Sequence, residues 1–155
     1  MKKMSTLRLN PELVADKRSE LLYQQLKALL DEIEKKDISD QTTETINQQV
    51  EVINSTSLKD KALSKLLKEK QTGILKMLEK EYKLVPKNYY RTMWLAAGLA
   101  TFGLPIGIAF GFLLGNMAFL GIGLPIGMTI GMALGASMDK KAEAEGRQLD
   151  VEIKY

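Results

Sequence analysis

The feature that most constrains this chain is an uncharged run of 46 residues, from 93 to 138. It contains no Asp, Glu, Lys or Arg, and one such charge at the middle of a bilayer costs about 2.5–3.5 kcal/mol. A single straight helix of this length would reach about 69 Å, whereas the hydrocarbon core of a membrane is about 30 Å thick. The run therefore predicts two spans joined as a hairpin, 93–115 and 119–138. The turn is predicted at Asn116-Met117, with Gly121 as the alternative.

The flanks of the run predict its orientation. Lys and Arg residues stand before the first span and after the second, whereas the turn carries none. Because positively charged flanks remain in the cytoplasm, both termini are expected to be cytoplasmic. Aromatic residues accompany the basic ones, and together they are expected to lie at the membrane interface: Tyr89, Tyr90, Arg91, Trp94, Lys140 and Lys141.

An internal repeat marks both predicted spans. The sequence FGLPIG at 102–107 recurs 20 residues later as IGLPIG at 122–127. Glycines continue at four-residue intervals, and because four residues turn a helix by about 400°, they form a slowly drifting stripe. Such stripes let helix backbones touch in a membrane. The glycines predicted to mediate helix packing and oligomerisation are Gly103, Gly107, Gly111, Gly115, Gly123, Gly127, Gly131 and Gly135.

Two uses of these stripes are open. They could pack the first span against the second, or they could also join neighbouring subunits. The second use is favoured, because two thin helices have little other surface to hold them in one orientation. Alanines off the stripe add further small faces: Ala96, Ala100, Ala109, Ala118, Ala133 and Ala136.

Each repeat also contains a proline. Pro105 and Pro125 are predicted kinks, because proline lacks the N–H that would bond to the carbonyl of Thr101 or Gly121. Repeats that cross a bilayer in opposite directions are typical of some transporters. However, ion-coupled transport usually places ionisable groups near mid-membrane, and the run has none. The prolines therefore indicate bundle geometry rather than a transport site.

The glycine ladder from Gly103 to Gly135 resembles that of bacterial glycine-zipper proteins that span a membrane twice. It covers roughly a third of the chain. The class includes envelope proteins and pore formers, so the resemblance implies self-association in a membrane without a specific activity. Its outer-membrane lipoproteins carry a lipidated Cys, which this chain lacks. The inner membrane is therefore the expected location.

Residues 10–86 are predicted to form three amphipathic cytoplasmic helices, at 11–36, 40–54 and 57–85. Asn10 and Pro11 are typical of a helix start, and apolar residues at heptad spacing follow from Ala15, interrupted only by Ser19. Ser57 and Asp60 match a capping box. Two arrangements remain open, namely a three-helix bundle within one chain and a coiled-coil-like collar of several copies.

Both ends of the chain have the alternation of half-buried strands. In the cytoplasmic tail, 139–155, the helix is predicted to end at Gly146. Beyond it, in 147–155, Leu149, Val151 and Ile153 alternate with polar residues. Leu7 and Leu9 do so in the N-terminal segment 1–9, where a strand is predicted at residues 4–10. Because a single strand needs a partner, the tail of one subunit is predicted to pair with the head of its neighbour.

The composition argues against catalysis. The chain has no Cys and no His, which excludes thiol nucleophiles, imidazole bases and the metal sites built from them. No catalytic, cofactor-binding or metal-binding residue is predicted, and no cofactor is expected. The net charge of +3 is diffuse, so nucleic acid is not an expected partner.

These observations predict an all-α integral membrane protein with a short terminal β element. Its expected partners are the lipid bilayer and further copies of itself, and a protein partner on the cytoplasmic side is left open. The expected function is that of a non-enzymatic homo-oligomeric membrane scaffold or assembly protein. The alternative is a pore- or channel-forming oligomer.

Overall fold

The computed structural model describes residues 3–14 and 16–153. Within these residues the chain forms two compact units. The bundle unit comprises residues up to 85 together with those from 149 onward, and the hairpin unit comprises Pro86–Gln148. Ala15, predicted in the first helix, and Lys154 and Tyr155, predicted in the tail strand, lie outside the described residues.

The bundle unit contains three α-helices that pack within one chain. They are α1 (Lys17–Glu34), α2 (Asp40–Asn54) and α3 (Asp60–Tyr82), preceded by a short 3-10 turn at Pro11–Leu13. Each contributes a stripe of large aliphatic side chains at helical spacing, which is the pattern that buries one helix face. The largest fully buried side chains include Leu26, Leu29, Ile33, Ile46, Ile53, Leu63, Leu67, Ile74 and Leu78. This is the arrangement expected of a bundle within a single chain.

Two of these helices begin later than predicted. Asn10 caps only the 3-10 turn, where its side chain accepts the Glu12 N–H at 3.0 Å. The α1 helix begins at Lys17 because the Asp16 carboxylate accepts the N–H groups of Arg18 and Ser19, at 3.0 and 3.1 Å. The hydrogen bonds from Ser19 hold the pKa of Asp16 below its ordinary value.

The predicted capping box at residue 57 is not formed. The α3 helix begins at Asp60, and its N-cap residue, Lys59, makes no side-chain capping bond. Asp60 itself has a positive φ of 51°. This backbone conformation is uncommon for a residue with a side chain. The same helix ends at Tyr82 rather than at residue 85.

Ser19 interrupts the apolar heptads of α1 for a reason visible in the structure. Its side chain is fully buried, and its hydroxyl lies 2.8 Å from that of Ser64 on α3. Because a buried hydroxyl needs a partner, the two serines satisfy each other across the helix interface. The interruption is therefore a polar contact between helices.

The predicted N-terminal strand at residues 4–10 is wrong. The segment forms no strand, and its backbone bonds instead to two asparagine side chains of α2. The Ser5 N–H donates to Asn47 Oδ1 at 2.7 Å, and the Arg8 N–H donates to Asn54 Oδ1 at 2.6 Å. The two amide NH₂ groups donate to the carbonyls of Lys3 and Thr6, at 3.1 and 3.0 Å.

This contact depends on matching distances. Asn47 and Asn54 are two helical turns apart, about 10.5 Å, and three residues of extended chain cover about 10 Å. A helix therefore takes the place that a neighbouring strand was predicted to fill. Leu7 is buried in the bundle core and Leu9 is partly buried against it.

The tail does contain a strand, but its partner differs from the prediction. Strand β2 (Gln148–Glu152) pairs with β1 (Val85–Lys87) of the same chain, in a two-stranded sheet. Leu149, Val151 and the following Ile153 are buried in the bundle core. Sequence analysis missed β1 because it is only three residues long and contains a proline, which usually argues against a strand.

The hairpin unit consists of two long apolar helical segments. The first is built from α4 (Tyr89–Gly98), a π-helical turn (Leu99–Gly103) and α5 (Leu104–Leu113). The second is a 3-10 turn (Met117–Phe119) followed by α6 (Leu120–Ala144). Both segments, Tyr89–Leu113 and Met117–Ala144, are long and apolar enough to cross a membrane.

The turn between the segments spans residues 114–116, so it contains the predicted Asn116, whereas Met117 begins the 3-10 turn. Gly115 has a positive φ of 64°, where glycine is favoured. The N–H groups of Gly115 and Asn116 donate to the carbonyls of Phe112 and Gly111, at 3.3 and 3.0 Å. These are the two bonds of a Schellman C-cap, which ends α5. Gly121, the alternative turn position, lies inside α6.

Candidate functional site

Burial in the hairpin unit is inverted relative to a water-soluble fold. Between residues 93 and 138, every buried residue is a glycine. Large apolar side chains are exposed instead, among them Ile108, Phe112, Ile122 and Leu134. The contact between the two segments is therefore made by backbone, with the bulky side chains around its outside.

The approach of the two backbones leaves no room for side chains. A Cβ on Gly127 would lie 2.5 Å from the Gly103 Cα and 2.6 Å from the Gly98 carbonyl oxygen. A Cβ on Gly107 would lie 2.5 Å from the Leu120 carbonyl oxygen. Real Cβ atoms essentially never approach other atoms within 3.0 Å, so any larger residue would force the helices apart.

The remaining predicted glycines of the second segment are packed just as tightly. A Cβ on Gly123 would overlap the backbone of Gly103 and Gly107, and one on Gly131 would overlap the Trp94 carbonyl. At the end of the stripe, a Cβ on Gly135 would lie 2.6 Å from the Tyr90 carbonyl oxygen. All four predicted glycines of this segment are thus used inside one hairpin.

The glycine set of the first segment differs from the prediction at both ends. Gly115 belongs to the turn, and a Cβ there would meet nothing within 4 Å. Gly98, which was not predicted, is buried, and a Cβ on it would lie 2.8 Å from the Gly131 Cα. Gly111 stays in the contact, facing the Met117 side chain. The contacting set is therefore Gly98, Gly103, Gly107 and Gly111.

The π-helical turn explains why Gly98 joins this set. Gly98 and Gly103 are five residues apart, which in an α-helix would place them on different faces. The Leu104 N–H bonds to the carbonyl of Leu99, five residues earlier, so the turn holds one extra residue. That insertion returns Gly98 to the face shared by the later glycines.

The two prolines have different surroundings. Pro105 lies in the first turn of α5, directly after the π-helical turn. In a regular α-helix its ring would crowd the carbonyl of Thr101. Pro125 lies inside α6, and the helix continues through it. The Thr129 hydroxyl donates to the Pro125 carbonyl at 2.8 Å. Pro105 thus coincides with a change of helix type, whereas Pro125 does not.

Asp139 is a residue that sequence analysis missed. It is 8% exposed, and its two carboxylate oxygens accept the N–H groups of Tyr90 and Arg91, each at 3.0 Å. The N-cap residue of α4, Asn88, makes no side-chain capping bond. A carboxylate on the second segment therefore caps the first, where the helix dipole favours negative charge. The available signal was its position, since it is the first charged residue after the uncharged run.

The residues predicted at the membrane interface lie at the open end of the hairpin. The rings of Tyr89 and Tyr90 meet edge to face, with centroids 5.2 Å apart. Lys140 and Lys141 are exposed near the end of α6, and Lys141 lies 3.9 Å from Glu145. The indole N–H of Trp94 is buried and has no hydrogen-bond partner among the described residues.

The side chains of the uncharged run offer packing contacts and few polar groups. Polar side chains within the run are sparse, namely Thr101, Asn116, Thr129 and Ser137 in addition to Trp94. Asn116 uses its side chain locally, accepting the Ala118 N–H at 2.9 Å. In residues 3–14 and 16–153, no group of three or more acidic side chains is placed to hold a metal ion.

Comparison with known proteins adds no family. No protein-family model matches the chain, and neither a curated protein nor a solved structure matches it.

Proposed function

We propose that this protein is a non-enzymatic membrane scaffold, with the hairpin unit as its anchor and the bundle unit in the adjoining cytoplasm. The observation that carries the proposal is the inverted burial of residues 93–138. Burying glycine removes little apolar surface from water, so the hydrophobic effect gives this contact little stability. In lipid, helix association depends on close van der Waals packing, which glycine-lined backbones provide.

The outer surface of the hairpin supports the same proposal. Its exposed residues include Phe110, Phe112, Leu113 and Ile126. Large patches of exposed apolar side chains are unusual on soluble monomers and are typical of membrane or protein contacts. With basic residues only at the open end, both termini lie on the cytoplasmic side of a bacterial inner membrane.

Insertion is tested with matched arginine substitutions in phosphatidylcholine vesicles. We expect the wild-type protein to float with the vesicles after an alkaline carbonate wash. Ile126→Arg, at an exposed position of the hairpin, lowers the floating fraction, whereas Leu58→Arg, at an exposed position of the bundle, leaves it unchanged. Complete extraction of the wild-type protein by carbonate would refute the membrane anchor.

Self-association in this proposal uses the outside of the hairpin, because the glycine faces are already buried. Two pairs of small, exposed residues at four-residue spacing remain, namely Ala96 with Ala100 and Ala133 with Ser137. Such pairs allow close helix approach in lipid. Ala133→Leu is expected to lower the native mass of the lipid-embedded complex. A native mass equal to one chain for the wild-type protein would contradict the oligomer.

The pore-forming alternative makes a different prediction. A water-filled path needs a row of polar groups, whereas the exposed polar side chains of the run are few and the Thr129 hydroxyl already bonds to its own helix. We therefore expect no reproducible conductance from purified protein in planar bilayers. Discrete single-channel steps would favour the pore former over the scaffold.

A further inference from the structure

A cleft beside α1 and α3 of the bundle unit is lined by basic side chains. Its volume is about 790 Å³, and Arg18, Lys61, Lys65, Lys68 and Lys76 lie along it. In the described part of the chain, none of these five forms a salt bridge. Two acidic residues also line the cleft, Asp16 and Glu69, and Asp16 is already engaged as the cap of α1.

The four lysines occupy one side of α3. With Thr72 between them, their positions fall within roughly 80° of the helix circumference. Lysine stems supply apolar wall while their ammonium groups stay at the rim. Because the five basic side chains outnumber the two acidic ones, the cleft carries an excess of positive charge, which favours an anion inside it.

The cleft continues into a smaller apolar cavity. This second space is about 160 Å³ and shares Arg18, Lys68 and Thr72 with the first. Its other walls include Leu21, Leu22, Leu75 and Ile153. A charged entrance therefore adjoins an apolar recess, which is the pattern that fits a molecule with an anionic head and an apolar tail.

A buried polar group in the smaller cavity has no partner. The Gln71 side chain is 3% exposed and lines this space. Its Nε2 makes no hydrogen bond within the described residues. Because a buried donor without an acceptor is costly, an oxygen atom of a ligand would stabilise it.

We propose that this cleft binds a phosphate-bearing amphiphile. The phosphate lies among the basic residues, the apolar chain lies along Leu21 and Leu75, and an ester carbonyl accepts from Gln71 Nε2. Single-stranded nucleic acid is a poorer fit, because aromatic side chains that stack on bases are not among the residues described along either cavity. The proposal goes beyond the anchor function and does not require the hairpin to be inserted in a membrane.

The first test is calorimetric titration of the full chain in a neutral detergent. The probes are water-soluble dihexanoyl phosphatidic acid, dihexanoyl phosphatidylcholine, glycerol 3-phosphate and inorganic phosphate. We expect phosphatidic acid to bind at least about tenfold more tightly than the other three, because only it combines a free phosphate with apolar chains. Equal affinity for glycerol 3-phosphate would overturn the amphiphile, and absence of binding by phosphatidic acid would overturn the whole proposal.

The second test separates a specific site from general attraction to a basic protein. The double variant Lys65→Gln, Lys68→Gln is compared with Lys70→Gln, Lys80→Gln, which removes two lysines of the same helix outside both cavities. Only the first pair is expected to weaken phosphatidic acid binding, by about tenfold or more. Equal weakening by both pairs, or by neither, would contradict the site.

The apolar recess is tested separately. Leu21 is 46% exposed, so Leu21→Ser is expected to leave the bundle folded while weakening phosphatidic acid several-fold and inorganic phosphate not at all. Gln71→Leu is expected to weaken phosphatidic acid several-fold, with folding checked by circular dichroism. Unchanged affinity in Leu21→Ser would show that the apolar chain does not lie in the recess. Unchanged affinity in Gln71→Leu would show that the Gln71 amide does not contact the ligand.

Discussion

The bundle unit and the hairpin unit use side-chain size in opposite ways. In the bundle, most buried residues are large and aliphatic, such as Leu26 and Leu67, whereas between residues 93 and 138 the buried residues are all glycine. Removing large apolar side chains from water stabilises a fold in water, and close backbone contact stabilises helices in lipid. This difference supports our proposal that the hairpin unit lies in a membrane while the bundle unit lies in water.

The largest expected effect comes from filling a glycine position in the hairpin. Gly127→Leu places a branched side chain where even a Cβ would lie 2.5 Å from the Gly103 Cα, so the two segments should separate. Spin labels at Thr101 and Thr129, on the two segments, should report a longer and broader distance distribution. The matched control is Gly121→Leu in the same helix, where a Cβ meets nothing within 4 Å. The same distance in both variants would contradict the glycine contact.

In the bundle, the substitution expected to destabilise the fold is the replacement of a large buried side chain by a small one. Leu26 is fully buried, and Leu26→Ala should lower the free energy of unfolding by about 2–5 kcal/mol through lost burial and a residual cavity. Leu21→Ala, on the same helix at a 46% exposed position, should cost much less. Thermal unfolding followed by circular dichroism measures both. Equal costs for the two leucines would argue against the described core.

A smaller effect is expected at the helix cap that joins the two hairpin segments. Asp139→Asn keeps one oxygen acceptor but loses the second and the charge, so α4 should lose about 1–2 kcal/mol of stabilisation. Hydrogen exchange of the Tyr90 and Arg91 amides should become faster. Glu143→Gln, at an exposed position of the same helix, is the control. Slow exchange retained in Asp139→Asn would show that the carboxylate is not the cap.

The smallest expected effect has the opposite sign. Gly73 lies in the middle of α3, where glycine costs about 1 kcal/mol relative to alanine. A Cβ there would meet only Gln49 Oε1, at 3.4 Å, the end of a flexible side chain. Gly73→Ala should therefore stabilise the bundle by about 0.5–1 kcal/mol in thermal unfolding. Destabilisation would mean that this glycine, like those of the hairpin, is needed for packing.

Local chemistry explains what the sequence could predict. The two apolar helices follow from the absence of charge between residues 93 and 138, and the buried stripe follows largely from glycines at four-residue spacing. Gly98 escaped prediction because its place depends on an inserted residue in a π-helical turn. Gly115 was misassigned because it continues the spacing while its backbone forms the turn.

What could not be predicted depends on partners distant in sequence. Residues 4–10 alternate like a strand, yet Asn47 and Asn54 satisfy their backbone from a helix. The tail strand finds β1, which is too short to be recognised by periodicity. Asp139 caps a helix that begins 50 residues earlier in the chain, at Tyr89. Each of these contacts requires knowledge of the tertiary arrangement.

The most direct test of whether the hairpin unit lies in lipid and the bundle unit in water compares two leucines of equal exposure. Leu58 of the bundle and Leu134 of the hairpin are each 43% exposed. Because the chain has no cysteine, a nitroxide can be attached at Leu58→Cys or at Leu134→Cys alone in phosphatidylcholine vesicles. We expect the label at 134 to collide more with oxygen than with a water-soluble nickel complex, and the label at 58 to show the reverse. Equal, water-like accessibility at both positions would contradict the proposal that the hairpin unit lies in a membrane.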